Sequence, residues 1–369
     1  MHSLQSRWLA VASGLLLGLS SATDDFGFDF DWDSITPSSD LSYTTCYDKF
    51  GLQCARLLVP LDWQNASNPH NVSIAIAKLP AKVPEDDPKF GGTIFTNPGG
   101  PGGSGVTAIL TASRNLQNML SGRKEYEILS WDPRGVGLTS PNADCFAGDI
   151  AAREVADVQA TAIGPLDASD AAFRRQLAGY KGLGQLCQET MTEGSILPYL
   201  STASVARDMV DMLDQVHALP SNSWGIVGYN PYLVLRMDNS SHVAINRPIY
   251  NPRARLVPGR RQAGRAVAIP IYETRPRHAA SQCSKMAKNY PGAAVVIQEN
   301  TGHSTLSASS KCTRTIIQDY LEHGKMPENG TTCKPDCDPW NKCDEEPKAM
   351  MVNLLSEEAG SRQRKYLFV

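Results

Sequence analysis

The chain lacks any run after Leu19 long and apolar enough to cross a bilayer, which takes about 20 residues of helix. Charge of neither sign is in excess: 35 Lys and Arg stand against 38 Asp and Glu, a net of −3. That balance supplies no electrostatic pull toward nucleic acid or an anionic membrane surface. No Gly-Lys-Ser or Gly-Lys-Thr is present to end a phosphate loop. No Gly-x-Ser-x-Gly occurs anywhere, so the strained turn that presents a nucleophilic serine has no sequence signature. One further absence is local. Residues 226–282 contain no lysine, and only Asp238 and Glu273 are acidic there.

What is present begins with an address. Arg7 precedes an apolar run from Trp8 to Leu19, and Ser20-Ser21-Ala22 offers small residues for cleavage. Such a run is too short for an anchor and suits a secretory signal over 1–22, so the mature chain is expected to be soluble and extracellular. Nine cysteines in such a chain suggest disulfides. Cys46 and Cys54 are spaced to staple a short loop, and Cys312, Cys333, Cys337 and Cys343 cluster late. Cys333-x-x-x-Cys337 has no histidine at ligand spacing, so no metal site is expected. The odd count leaves one thiol over, for which Cys283 is the candidate. Asn65, Asn71, Asn239 and Asn329 each open an N-glycosylation sequon.

Residues 23–45 show no period and are expected to form a loose arm. From Cys46 the pattern sharpens. Ala55–Trp63 reads as a strand broken by Pro60, and Val72–Lys78 alternates as a half-buried strand does. Gly92–Thr96 is a short strand running into Asn97-Pro98-Gly99-Gly100-Pro101-Gly102-Gly103-Ser104-Gly105. A helix is predicted over 106–120 and a strand over 126–131. Strand, loop, helix, strand is a βαβ unit, which predicts a mostly parallel, doubly wound sheet of α/β class. Residues 150–200 read as helical with mixed polarity. Ser204 is the predicted cap of an amphipathic helix carrying Val205, Met209, Met212, Leu213 and Val216.

Residues 226–282 then break the pattern with nine arginines and six prolines, which forbid long elements. A basic linker, a frame-shifted stretch and a retained intron all fit that composition. Order resumes with a helix ending at Tyr290, a strand over 293–298, Gly302-His303 after it, and a helix over 309–323.

The glycine-rich loop is the strongest internal motif. Acyl transfer needs backbone N–H groups aimed at an oxyanion, and glycines after a strand expose them; Gly99, Gly100 and Gly102 are the candidates. Gly100-x-Gly102-x-x-Gly105 also matches a dinucleotide fingerprint in form. No acid follows about 20 residues later, however, as ribose binding requires. A plain structural turn is the third reading.

Together with Trp131-Asp132-Pro133-Arg134-Gly135-Val136-Gly137, this loop resembles the opening of prolyl/tripeptidyl aminopeptidase-like α/β-hydrolases of the secreted, fungal type. Lys285–Gly292, Gly302-His303-Ser304 and Cys312 are similar to that family's TAP-like C-terminal region, and Cys54–Trp63 to its entry strand. The resemblance covers roughly 46–225 and 284–343. It implies an α/β-hydrolase fold and a Ser-Asp-His triad acting on a peptide, ester or amide, without cofactor or metal. His303 falls on the family's histidine. Val227 stands where its serine is expected, in Gly225-Ile226-Val227-Gly228, and neither Ser221 nor Ser223 is placed to substitute. The family's aspartate has no match; Glu273 is the only acid nearby. The lid domain is missing or reduced to residues 230–265 within the anomalous segment 226–283, and 344–369 is a tail. A sheet without its elbow strand would leave neighbouring strands unpaired, which predicts low stability.

Overall fold

The computed structural model describes residues 30–99, 102–165, 167–216, 223–227, 234–237, 267–268, 294–299 and 308–336. The strands are β1 (Thr44–Cys46), β2 (Leu52–Pro60), β3 (Asn71–Leu79), β4 (Phe90–Asn97), β5 (Glu125–Trp131), β6 (Ser223–Val227), β7 (Val234–Met237), β8 (Val267–Ala268), β9 (Ala294–Gln298) and β10 (Thr331–Cys333). The helices are α1 (Gly105–Leu120), α2 (Ile150–Ala162), α3 (Asp170–Glu189), α4 (Thr202–Val216) and α5 (Lys311–His323). Seven strands form one sheet in the order β1-β2-β3-β5-β4-β6-β7, and β10-β9-β8 form a second.

The main sheet is mixed, where a mostly parallel one was expected. Only β5, β4 and β6 run parallel to one another; β1, β2, β3 and β7 pair antiparallel. Loop length explains part of this. The link 61–70 between β2 and β3 is shorter than the dozen or so residues a parallel crossover takes, so the two strands fold back as a hairpin. β6 is present beside β4, so the expected gap at the centre of the sheet is not found.

Alternation along the central strands feeds a core on each face of the sheet. Ile94 and Ile128 join Val106, Ile109 and Leu120 of α1 and Ile317, Tyr320 and Leu321 of α5. Their neighbours Phe95 and Leu129 join Leu57, Ile74, Trp131 and Met209, Met212 and Leu213 of α4. Both sides of β4 and β5 are buried at their centres, where the adjacent apolar pairs Ile94–Phe95 and Ile128–Leu129 each serve both faces. α4 begins two residues before the predicted cap: Ser201, not Ser204, takes the cap, its hydroxyl accepting from the Ser204 N–H at 3.2 Å.

The C-terminal helix is locked to the N-terminal half. Gln318 donates to the Met119 and Ser121 carbonyls at 3.1 and 2.7 Å, satisfying the open end of α1. Glu322 accepts from the Arg123 N–H at 2.6 Å. Disulfides join Cys46 to Cys54, Cys145 to Cys187 and Cys312 to Cys333. The Cys145–Cys187 bridge closes the α2–α3 hairpin, which otherwise contributes little to the core: among the described residues, Val155, Val158, Phe173 and Tyr180 on these helices are exposed.

Residues 30–45 are anchored along the sheet edge. Trp32 is buried and donates its indole N–H to the Tyr47 hydroxyl at 2.9 Å. Ser38 exchanges backbone bonds with Arg56 and Leu58, and Gln215 of α4 binds the Leu41 N–H and the Ser39 carbonyl. This strap covers the outer edge of β2, an apolar strand that would otherwise offer unpaired N–H and C=O groups. Deleting residues 30–43 is therefore expected to convert a stable species into higher oligomers on size-exclusion chromatography. An unchanged elution volume would show that the strap does not protect the edge.

Candidate active site

β4 receives β5 on one side and β6 on the other, so the chain leaves its carboxyl end in opposite directions. In α/β sheets the crevice outside the carboxyl ends at such a switch point is where ligands bind. The glycine-rich loop leaves β4 at that end.

Asn97 starts the loop by accepting the Gly99 N–H on its side-chain oxygen at 2.7 Å. Gly99 and Gly102 take φ of +80° and +96°, which glycine adopts without cost. The Gly103 N–H donates to the Gly99 carbonyl at 2.9 Å, and the Ser104 hydroxyl accepts from the Thr107 N–H at 3.0 Å to cap α1. The Gly99 N–H is thus turned inward to Asn97. Gly100 lies outside the described residues.

Asp132, one residue past β5, holds this loop to the sheet. It is fully buried, and its Oδ1 accepts from the Ser104 hydroxyl at 2.7 Å and the Val106 N–H at 3.0 Å. Its Oδ2 accepts from the Leu138 N–H at 2.7 Å. Its own N–H donates to Ala75 of β3, and its carbonyl accepts from the Thr139 hydroxyl. A Cβ at Gly105 would overlap the Trp131 carbonyl, and one at Gly137 would overlap the Asp132 carboxylate, so both glycines are required by close approach. Burial pushes the Asp132 carboxyl up, opposed by the hydrogen bonds from Leu138, Val106 and Ser104.

The sign of the resulting pH dependence follows. A raised native value means the folded chain holds this proton more tightly than the unfolded one. The group's contribution is full below the ordinary carboxylate value and is lost as pH rises through the raised one. Urea unfolding at pH 4 and pH 7 is expected to show a smaller advantage of wild type over Asp132→Asn at pH 7; a larger one would reverse the sign.

Arg134 fixes the other side of the turn. Its guanidinium grips Asp208 of α4 with two bonds at 2.7 and 2.6 Å, both side chains fully buried, and donates to the Leu61 and Pro60 carbonyls. Trp63 donates to the same carboxylate at 2.8 Å. Burial pushes Asp208 up and the Arg134 bonds oppose it.

β6 brings Val227 level with Asn97 and Ile226 level with Thr96. Val227 is the last residue of a parallel strand beside the strand that feeds the loop. The structure therefore sets Val227 beside Asn97, the residue that opens the loop carrying Gly99 and Gly102. His303, Glu273 and Cys283 lie outside the described residues, as does Asn239. Asn65, Asn71 and Asn329 are exposed, Asn71 at the start of β3. In the sequence Asp132 and Arg134 stand out only as members of the Trp131–Gly137 motif. An acid and an arginine two residues apart at the exit of a strand are the sequence signal, since either one, if buried there, needs a partner.

Comparison with known proteins adds the second half. Residues 276–333 match the family described as TAP-like protein. The match includes His303 and begins beyond Glu273. Carboxylesterase B of Mycobacterium tuberculosis is 32% identical over 164 residues, 44% of this chain and 28% of that protein. Tripeptidyl aminopeptidase of Streptomyces lividans is 28% identical over 158 residues, 43% of this chain and 27% of that protein. Serine protease Hip1 of M. tuberculosis is 30% identical over 95 residues, 26% of this chain and 17% of that protein. Each match therefore spans under a third of the relative's length. These relatives carry the names of a carboxylesterase, an aminopeptidase and a serine protease.

Proposed function

We propose that the chain is a secreted relative of aminopeptidase- and esterase-type α/β-hydrolases that retains the loop scaffold and does not carry its own nucleophile. One observation carries this reading: Val227 ends β6 level with Asn97, at the switch point where an elbow serine would stand. A valine side chain has no lone pair to attack a carbonyl and no proton for His303 to take.

Three findings support the family part. The glycine loop leaves the central strand at the ligand-binding end of the sheet. The TAP-like match covers the late strand, His303 and α5. The relatives' names are those of hydrolases acting on esters and peptides. The substrate class would be a peptide or a small ester or amide, with no cofactor; of the loop residues Gly99, Gly100 and Gly102, the Gly99 N–H is held by Asn97, which leaves Gly100 and Gly102 as the oxyanion donors. On this reading the purified chain does not hydrolyse aminoacyl p-nitroanilides or p-nitrophenyl esters above buffer. Turnover that survives removal of trace contaminants would overturn it.

Secretion has its own test. Chain recovered from a eukaryotic culture medium is expected to carry glycans at two or three of Asn65, Asn71, Asn239 and Asn329. Peptide-N-glycosidase treatment should sharpen and lower its gel band; retention of an unmodified chain inside the cell would contradict secretion.

A second reading rests on residues 226–282, whose nine arginines and absent lysines set them apart from the flanking chain. Translation out of frame or through an intron would give such a stretch and would remove serine, aspartate and lid together. Sequencing transcripts across the codons for 220–285 decides it. A Gly-x-Ser-x-Gly recovered in a corrected frame would identify an active form of the same gene.

A further inference from the structure

The strap and the glycine loop are far apart in sequence, yet one side chain touches the path between them. Arg56 of β2 donates from Nε to the Trp32 carbonyl at 3.0 Å and lies 5.5 Å from the centre of the Trp32 ring. Its Nη2 faces the Asp33 carboxylate at 3.8 Å. Its Nη1 donates to the Leu138 carbonyl at 3.1 Å and reaches the Ser73 hydroxyl at 3.5 Å. The N–H of that same Leu138 donates to Asp132, which in turn accepts from Ser104 and Val106 at the exit of the glycine loop.

We infer that Arg56 is a positioning residue: it couples the N-terminal strap to the first turn of α1, so that the glycine loop is held in place only while residues 30–34 are docked. The inference goes beyond the proposed function and does not depend on it, because the relay exists whether or not a nucleophile is present.

Each link has two discrete states, bonded or not. The Arg56 side chain is almost wholly enclosed, with 9% of its surface exposed, so water cannot replace the partners it loses. Burial lowers the guanidinium and the charges of Asp33 and Asp132 raise it, so acids flank it on both sides. With Arg56 gone, the Leu138 carbonyl loses its donor and the turn 135–139 loses its outer support. Asp132 then keeps its three donors but no longer has a fixed turn behind one of them. The strap loses the donor that anchors Trp32 by its main chain.

The test is amide hydrogen exchange by mass spectrometry or NMR on the full mature chain. Arg56→Lys keeps the charge and most of the volume but cannot span Trp32 and Leu138 together; Arg56→Ala removes both links. In each variant the Leu138 and Val106 amides are expected to exchange about five- to tenfold faster, the worth of one net hydrogen bond. Amides of β3 and β5 and of α5 should be unchanged. Asp33→Ala, which removes only an exposed partner, should leave Leu138 and Val106 at the wild-type rate. Faster exchange confined to residues 30–34 would overturn the coupling. So would a uniform increase across β3, β5 and α5, which would mean global loosening. If Arg56→Ala does not fold, Arg56→Lys alone decides between these outcomes.

Discussion

Replacing Asp208 with alanine is expected to lower folding stability by about 3–5 kcal/mol, because it leaves a buried guanidinium without its counter-charge. Arg134 and Asp208 are both fully enclosed, and the pair is joined by two bonds with a third from Trp63. Forming such a pair from solvated ions gains little, but breaking it strands a charge that water cannot reach. The pair spans α4, the turn after β5 and the end of β2, since Arg134 also donates to Leu61 and Pro60. Urea unfolding should therefore show the loss for Asp208→Ala. Replacing both partners with apolar residues of similar volume should recover much of it. A double variant that loses the sum of the two single losses would show that the pair is not coupled. For a domain of ordinary stability, about 5–15 kcal/mol in all, the single loss threatens folding itself.

Gly137→Ala should cost about 2–5 kcal/mol, from two sources that a control separates. Gly137 has φ of +55°, and an alanine held there carries about 1–2 kcal/mol of left-handed strain. The added Cβ also overlaps the Asp132 carboxylate, and forcing atoms into a packed site costs about 1–3 kcal/mol further. Gly148 has φ of +85° with nothing near its missing Cβ. Gly148→Ala should therefore show the strain alone, a loss of about 1–2 kcal/mol by thermal or urea unfolding. Equal losses at both positions would mean that the Asp132 contact contributes nothing.

These two sites show where the sequence was legible. The core elements were, because Val72–Lys78, Gly92–Thr96 and the α4 stripe carry their periods openly. The glycine loop was legible too, since its composition has few structural uses after a strand. The mixed sheet was not: the short 61–70 link held the information, but pairing direction is set by tertiary closure rather than by any residue's preference. The strap was missed because its anchors, Trp32, Ser38 and Leu41, follow no period and bind through main-chain groups. The Cys145–Cys187 bridge joins residues 42 apart, and spacing alone cannot select that pairing among nine cysteines. Val227 was legible as an absence, and the structure gave that absence a place beside Asn97.

The central claim is that the strand at the switch point ends in valine and the chain therefore has no activated serine. Its most direct test is labelling of the purified, folded chain with a fluorophosphonate probe, followed by mass spectrometry of its peptides. The account predicts no adduct on any serine under conditions that fully label an active serine hydrolase. A stoichiometric adduct at a single serine, abolished by changing that serine or His303, would contradict it.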